Sequence, residues 1–284
     1  MKNGKSIGWS FAKGIFYLIL AAFSISYVVA FIWITINSFK TATGYAADSF
    51  GLPKVWDFGN YKQVLTNLEF KGHSLLGMFG NTMILVFWNF FCTLTFPHMV
   101  GYTMAHFQFK GRKTIEMAIY ISMLIPVFGG TGTTLWFLNS TGLFDNFLGV
   151  FLLQSGSLGF GSLLLINYYS GISKNYAEAA YIDGASEWKV FLKIYYPQTK
   201  PLMLVLLIQG FIGTWNDYMT GYLYLPSHPT LALGLQQMQV KFVDFGGDYP
   251  VMFAGVVLSL IPILLLYLRF SKEIMGSMMI GSMK

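Results

Sequence analysis

Groups able to do acid–base, nucleophilic or metal chemistry are sparse in this chain and widely scattered. The four histidines, His73, His98, His106 and His228, fall at no spacing that would gather ligands around one metal ion, so no metal site is expected. Cys92 is the single cysteine; it has no internal disulfide partner and reads as a small apolar core residue. The run Gly129-Gly130-Thr131-Gly132-Thr133-Thr134 has the glycines of a phosphate-cradling loop but not its lysine. A helix break beside Pro126 accounts for it. No nucleophile stands near a base, which leaves a membrane-embedded enzyme without its machinery.

Two features do stand out. Residues 170–200, SGISKNYAEAAYIDGASEWKVFLKIYYPQTK, form the most polar internal segment. Lys174 to Tyr181 is rich in helix-compatible residues, and Asp183-Gly184 is a turn signal. Ser186 can cap a second short helix, with Glu187 favourable in its first turn. Trp188, Phe191 and Tyr195 then fall at helical spacing, and Pro197 ends the pattern. The expectation is helix, turn, helix. The second feature is Asp217, an acid in or near an apolar run, with Asn216 and Gln209 close by. A charge at the bilayer centre costs roughly 2.5–3.5 kcal/mol on insertion scales, so such an acid faces a cavity or sits hydrated at the outer interface.

The elements that position these residues follow from composition. The chain has 284 residues, 55% hydrophobic, 18% aromatic and 11% charged. Soluble domains average about 25% charged residues. A disordered chain, a nucleic-acid module and an ordinary soluble enzyme are thereby excluded, and a polytopic membrane protein is indicated. A spanning helix needs about 20 mostly apolar residues. Charge-free runs place six helices at about 14–37, 80–106, 114–137, 147–169, 201–224 and 250–269, with a loop from there to about 249 after the fifth. Lipid satisfies no backbone polar group, which demands helices, and the runs are continuous rather than alternating as in a barrel. The fold class is an all-α membrane protein. Residues 1–13 form a tail and 14–284 a single transmembrane domain.

Lys and Arg set the orientation. Thirteen of the 18 fall in the amino-terminal tail, the second-to-third and fourth-to-fifth connections and the carboxyl tail; five fall on the other side. Both termini and the 170–200 loop are therefore expected in the cytoplasm. The outer loop 40–73 carries Pro53, Trp56, Asn60 and Tyr61, of which Trp and Tyr suit an interfacial belt. Ser155, Gly159 and Ser162 offer a small face for close helix contact.

The 170–200 loop resembles the signature of the membrane subunits of ATP-binding-cassette importers. That signature runs Glu-Ala-Ala, three residues, Gly, nine residues, Ile, one residue, Leu-Pro. Here stand Glu178-Ala179-Ala180, Gly184, Ile194 and Tyr196-Pro197, with Tyr196 in place of Leu. Asp183-Gly184-Ala185 with Phe191 and Pro201 is similar to the carbohydrate importers of the maltose type. So are HFQFKGRK at 106–113, Trp215-Asn216-Asp217 and the terminal Gly281-Ser282-Met283-Lys284, although Ser277 stands where a second Gly is usual. The resemblance covers nearly the whole chain.

The resemblance implies a permease subunit of an ATP-driven carbohydrate importer in a bacterial cytoplasmic membrane. Its loop would be a coupling element docking on a cytoplasmic ATPase, through Glu178, Ala179, Ala180, Asp183, Gly184, Ala185, Trp188, Phe191, Ile194 and Pro197. In that role Gly184 supplies a left-handed turn, the alanines admit close backbone approach, Glu178 reaches a basic residue, and Trp188 and Phe191 act as apolar anchors. Gln209, Asn216 and Asp217 are candidates for the translocation path. Implied partners are a second permease subunit, an ATPase dimer holding ATP and Mg, an extracytoplasmic solute-binding protein and the carbohydrate. No cofactor is expected on this chain. The segment 225–249, with Gly234, Gln236, Gln237 and Gln239, is the candidate contact for the binding protein. Two rivals are an ion-gradient transporter, which would need ionisable relays that the spans lack apart from Asp217 and a few histidines, and a scaffold that moves no solute.

Overall fold

The computed structural model describes residues 4–124, 129–155, 159–244 and 248–281. Pro126 lies outside them, as do the last three residues of the chain. The described residues are helical apart from one short hairpin and the connections.

The chain divides into two compact units. The first comprises residues up to Leu68 together with Gln237–Ile261. It holds α1 (Gly4–Asn37), α2 (Ala42–Ala47) and α3 (Gly59–Asn67). Below α1 the chain is pinned by side chains rather than by a sheet. The Asn60 amide donates to the carbonyls of Ser38 (2.9 Å) and Lys40 (2.8 Å), and the Tyr61 and Ser38 hydroxyls pair at 2.6 Å. Lys40, only 2% exposed, gives its ammonium to the Asp48 carbonyl at 2.7 Å. Asn60 and Tyr61 thus fix the 40–73 loop, whereas Trp56 is exposed.

The second unit comprises Glu69–Gln236 and the residues from Pro262 onward. A hairpin of β1 (Glu69–Phe70) and β2 (His73–Ser74) turns through Lys71 and Gly72, both at positive φ, and leads into α4 (Leu75–His106). Ser74 caps α4 by accepting from the Gly77 amide. There follow α5 (Arg112–Leu124), α6 (Gly130–Ser140), α7 (Phe147–Ser155) and α8 (Phe160–Ser170). The loop region holds α9 (Asn175–Ile182), α10 (Glu187–Val190), a π turn at Phe191–Tyr195 and α11 (Tyr196–Gln198). Then come α12 (Lys200–Asn216), α13 (Tyr218–Tyr224), α14 (Leu231–Asp244) and α15 (Tyr249–Gly281), α14 and α15 running on across the unit boundary. The unit is organised around α4, which packs on α8 and α12.

Three helical stretches among the described residues are long and apolar enough to cross a membrane: Ala12–Asn37, Leu75–His106 and Tyr249–Ser271. The pair α7 and α8, bent by 44°, makes a fourth if taken as one span. The other two expected spans are not continuous helices. That at 114–137 is divided between α5 and α6, and that at 201–224 breaks at Asp217. The break has a local cause: Asp217 accepts from the Thr220 amide at 3.0 Å and from the Thr220 hydroxyl, which caps α13 and ends α12. The loop expected from there to about 249 also contains α14, whose Leu231, Leu235 and Met238 recur at helical spacing.

Candidate functional site

The 170–200 segment is built as expected in outline, and its turn is specified by one residue. After α9, Gly184 adopts φ +76°, a conformation in which a side chain is strained. Its amide donates to the Tyr181 carbonyl (3.0 Å), and the Ala185 amide reaches back to the Ala180 carbonyl (2.9 Å). This is the double bond pattern that closes a helix with a left-handed glycine. A Cβ on Gly184 would meet nothing within 4 Å, so it is the backbone angle, and not crowding, that selects glycine.

Beyond the turn two expectations are corrected. Ser186 takes an extended conformation but makes no side-chain cap, leaving α10 to begin with its backbone alone. Pro197 does not end the segment: it sits in α11 directly after the π turn, and the chain runs on into α12. The π turn widens the helix between Phe191 and Tyr195, and both side chains turn inward.

Those two, with Val190 and Ala177, join Tyr102, Leu165, Tyr169 and Leu206 in one buried cluster; Ala180, Ala185 and Ile194 pack against it. Phe191 is 6% exposed, so it anchors the loop to its own bundle and is not available as an apolar contact for a partner. Trp188, 60% exposed, is available. It rims a cavity of about 180 Å³ shared with Met99, Phe107 and Glu187. Glu178, Ala179, Asp183 and Gly184 are exposed together. The segment is therefore two-sided, with Glu178, Ala179, Asp183, Gly184 and Trp188 outward and Ala180, Phe191, Ile194 and Tyr195 inward. Pro197 is half-buried at the junction with α12.

Residues with no obvious signal in the sequence complete the site. Ile182, 86% exposed, falls one turn after Glu178 on the same face, and that spacing was the available clue. Glu187 accepts hydrogen bonds from the hydroxyls of Tyr102 on α4 and Tyr181 on α9. Burial and the Glu187 carboxylate push the Tyr181 hydroxyl up to about 12. The Tyr196 hydroxyl donates to the Leu94 carbonyl of α4 at 3.2 Å.

The three candidate path residues separate. Gln209 and Asn216 are exposed on α12, with exposed Gly213 between them, at the i, i+4, i+7 spacing of one helix face. Asp217 instead spends its carboxylate on capping α13, at a helix N-terminus where negative charge is favoured. Nearby, Lys71, His73 and Asn81 hold the carbonyls of Pro226, Ser227 and Pro229, at 3.0, 2.9 and 3.0 Å. In α14 Gly234 is buried against Met78, and Gln239 is exposed. Among the described residues no three His, Cys, Asp or Glu side chains gather where they could hold a metal.

Comparison with known proteins places this arrangement. Residues 98–272, more than half of the chain, match the family described as binding-protein-dependent transport system inner membrane component. The diacetylchitobiose uptake system permease protein NgcG of Streptomyces coelicolor is 27% identical over 281 residues, covering 94% of this chain and 88% of that protein. The arabinooligosaccharides transport system permease protein AraQ of Bacillus subtilis is 26% identical over 238 residues, covering 82% of this chain and 80% of that one. Among solved structures, a chain of a bacterial ABC transporter involved in the import of the acidic polysaccharide alginate superposes with a TM-score of 0.79. It is 21% identical, and the match covers 94% of this chain and 97% of that one.

Proposed function

As the chain belongs to the family of binding-protein-dependent transport system inner membrane components, we propose that it is a permease subunit of an ATP-driven importer whose substrate is an oligosaccharide. The substrate class is supported by the relatives, which include uptake systems for diacetylchitobiose and arabinooligosaccharides. The chain is a transport subunit and not an enzyme. ATP and Mg would be held by an ATPase dimer in the cytoplasm, a second permease subunit would complete the pathway, and a solute-binding protein would deliver substrate from outside.

The observation that carries this reading is the two-sided loop. Its outward turn presents Glu178, Ala179, Asp183 and Gly184, while Phe191 and Tyr195 root it in the cluster beside α4, α8 and α12. Closure of the ATPase dimer on ATP would displace the turn, and the rooted side would carry the displacement into the helices. Two packings of the bundle, inward-open and outward-open, then alternate in stability. The excess of Lys and Arg around this loop and in both tails supports a cytoplasmic position for all three.

The exposed stripe Gln209–Gly213–Asn216 on α12 is the part of the path this chain would contribute. Two amides on one helix face are costly against lipid and suited to a hydrated passage bearing sugar hydroxyls. Residues 231–240 of α14, with exposed Gln239, are the candidate contact for the binding protein.

Reconstitution tests the function directly. The purified complex should contain a stoichiometric ATPase chain, and uptake should persist in the presence of a protonophore while ATP is maintained. Uptake that collapses with the proton gradient, or a chain that purifies without an ATPase in mild detergent, contradicts it.

A further inference from the structure

We propose that Glu187 and Tyr196 are positioning residues that fasten the 170–200 loop to α4 on both sides of Pro97. The inference rests on the reading of that loop as the coupling element and adds which helix it drives and through which atoms.

The geometry starts at Pro97, which lies inside α4 and has no N–H. The Thr93 carbonyl, four residues earlier, loses its helical donor and has the His98 ring nitrogen Nδ1 at 3.2 Å instead. The next carbonyl, Leu94, accepts from the Tyr196 hydroxyl at 3.2 Å. Tyr196 is the position where this chain departs from the Leu of the loop signature, and its hydroxyl is what makes the contact. Beyond Pro97, the Tyr102 hydroxyl donates to one Glu187 oxygen and the Tyr181 hydroxyl to the other. One carboxylate thus joins α4, α9 and α10, and a second tie joins the end of the loop to α4 before Pro97. Displacement of the loop pulls on α4 at two points, with the missing backbone hydrogen bond of Pro97 between them.

Glu178 and Gly184, on the outward face, meet the partner; Glu187 and Tyr196 meet α4. Loss of the second pair should leave the ATPase bound and active but deliver less of its work to the helices. Removing a hydrogen bond to a charged group shifts an equilibrium by about tenfold or more, and a comparable fall in coupling is expected.

The test is the number of substrate molecules imported per ATP hydrolysed by the reconstituted complex. Tyr102→Phe keeps the ring in the buried cluster and deletes only the hydroxyl. Tyr102→Phe and Glu187→Gln should each lower the ratio about tenfold with the ATPase still co-eluting. The double variant should be no worse than the poorer single, because the bond that Tyr102→Phe removes is one of the two that Glu187→Gln weakens. Tyr196→Phe should lower it independently, so that its effect adds to theirs. Unchanged ratios, or losses that add between Tyr102→Phe and Glu187→Gln, overturn the proposal. So do variants that simply shed the ATPase, since that outcome makes the contacts structural. If the unmodified complex itself shows no ATP-driven uptake, the reading of the loop fails and this inference goes with it.

Discussion

Gly101 on α4 lies flush against Leu165 on α8: a Cβ at Gly101 would stand 2.7 Å from the Leu165 Cβ and 3.1 Å from its carbonyl carbon. Neither atom can swing away, because one is backbone and the other is fixed to it. The contact sits beside Tyr102 and Tyr169 and sets how closely the two helices approach. Gly101→Val should therefore destabilise the subunit by about 1–3 kcal/mol, the usual cost of overpacking. Thermal unfolding in detergent checks it. Gly213→Ala, where no atom lies within 4 Å of the added Cβ, should leave the transition in place.

Asp217 separates a structural role from a path role. Asp217→Asn keeps an oxygen for the Thr220 amide and should be close to wild type in stability and uptake. Asp217→Ala removes the cap and should cost about 1 kcal/mol. An Asn variant that is stable yet dead in uptake would give the charge a direct part in transport.

Gln209→Leu and Asn216→Leu make the α12 stripe apolar. Each should depress uptake severalfold while the complex assembles and hydrolyses ATP. Uptake assays with matched expression would show it, and normal uptake in both would remove α12 from the path.

The turn at Gly184 gives a graded series. A β-branched side chain at φ +76° is strained by about 1–2 kcal/mol, whereas Asn tolerates the left-handed region. Gly184→Val should uncouple ATP hydrolysis from transport with the subunit still inserted, and Gly184→Asn should transport nearly normally. Glu178→Arg, which reverses an exposed charge, should uncouple in the same way.

The parts of the fold that were legible in the sequence are those with one dominant physical cause. The missing charges in 14–37, 80–106 and 250–269 announce α1, α4 and α15, since nothing else explains long runs without Asp, Glu, Lys or Arg. The turn at Gly184 was legible for the same reason, because one residue type satisfies one backbone angle. The break at Asp217 was not, because an acid in an apolar run reads as a buried charge until its side chain is seen capping the next helix. The inward position of Phe191 was not legible because helical spacing gives a face and not what covers it: its neighbours Tyr102, Leu165 and Tyr169 come from α4 and α8. The Glu187 tie was illegible for another reason: Tyr102 lies 85 positions away, and no local pattern reports it.

The proposed coupling role requires that the turn between α9 and α10 meet an ATPase in the cytoplasm. The most direct measurement places a cysteine there, as Asp183→Cys in a Cys92→Ser background. The exposed side chain is then cross-linked within the assembled complex and, in parallel, treated with a membrane-impermeant maleimide from outside sealed cells. One cross-linked product joining this chain to the ATPase is expected, with no labelling from outside. Labelling from outside, with no ATPase adduct, would contradict it.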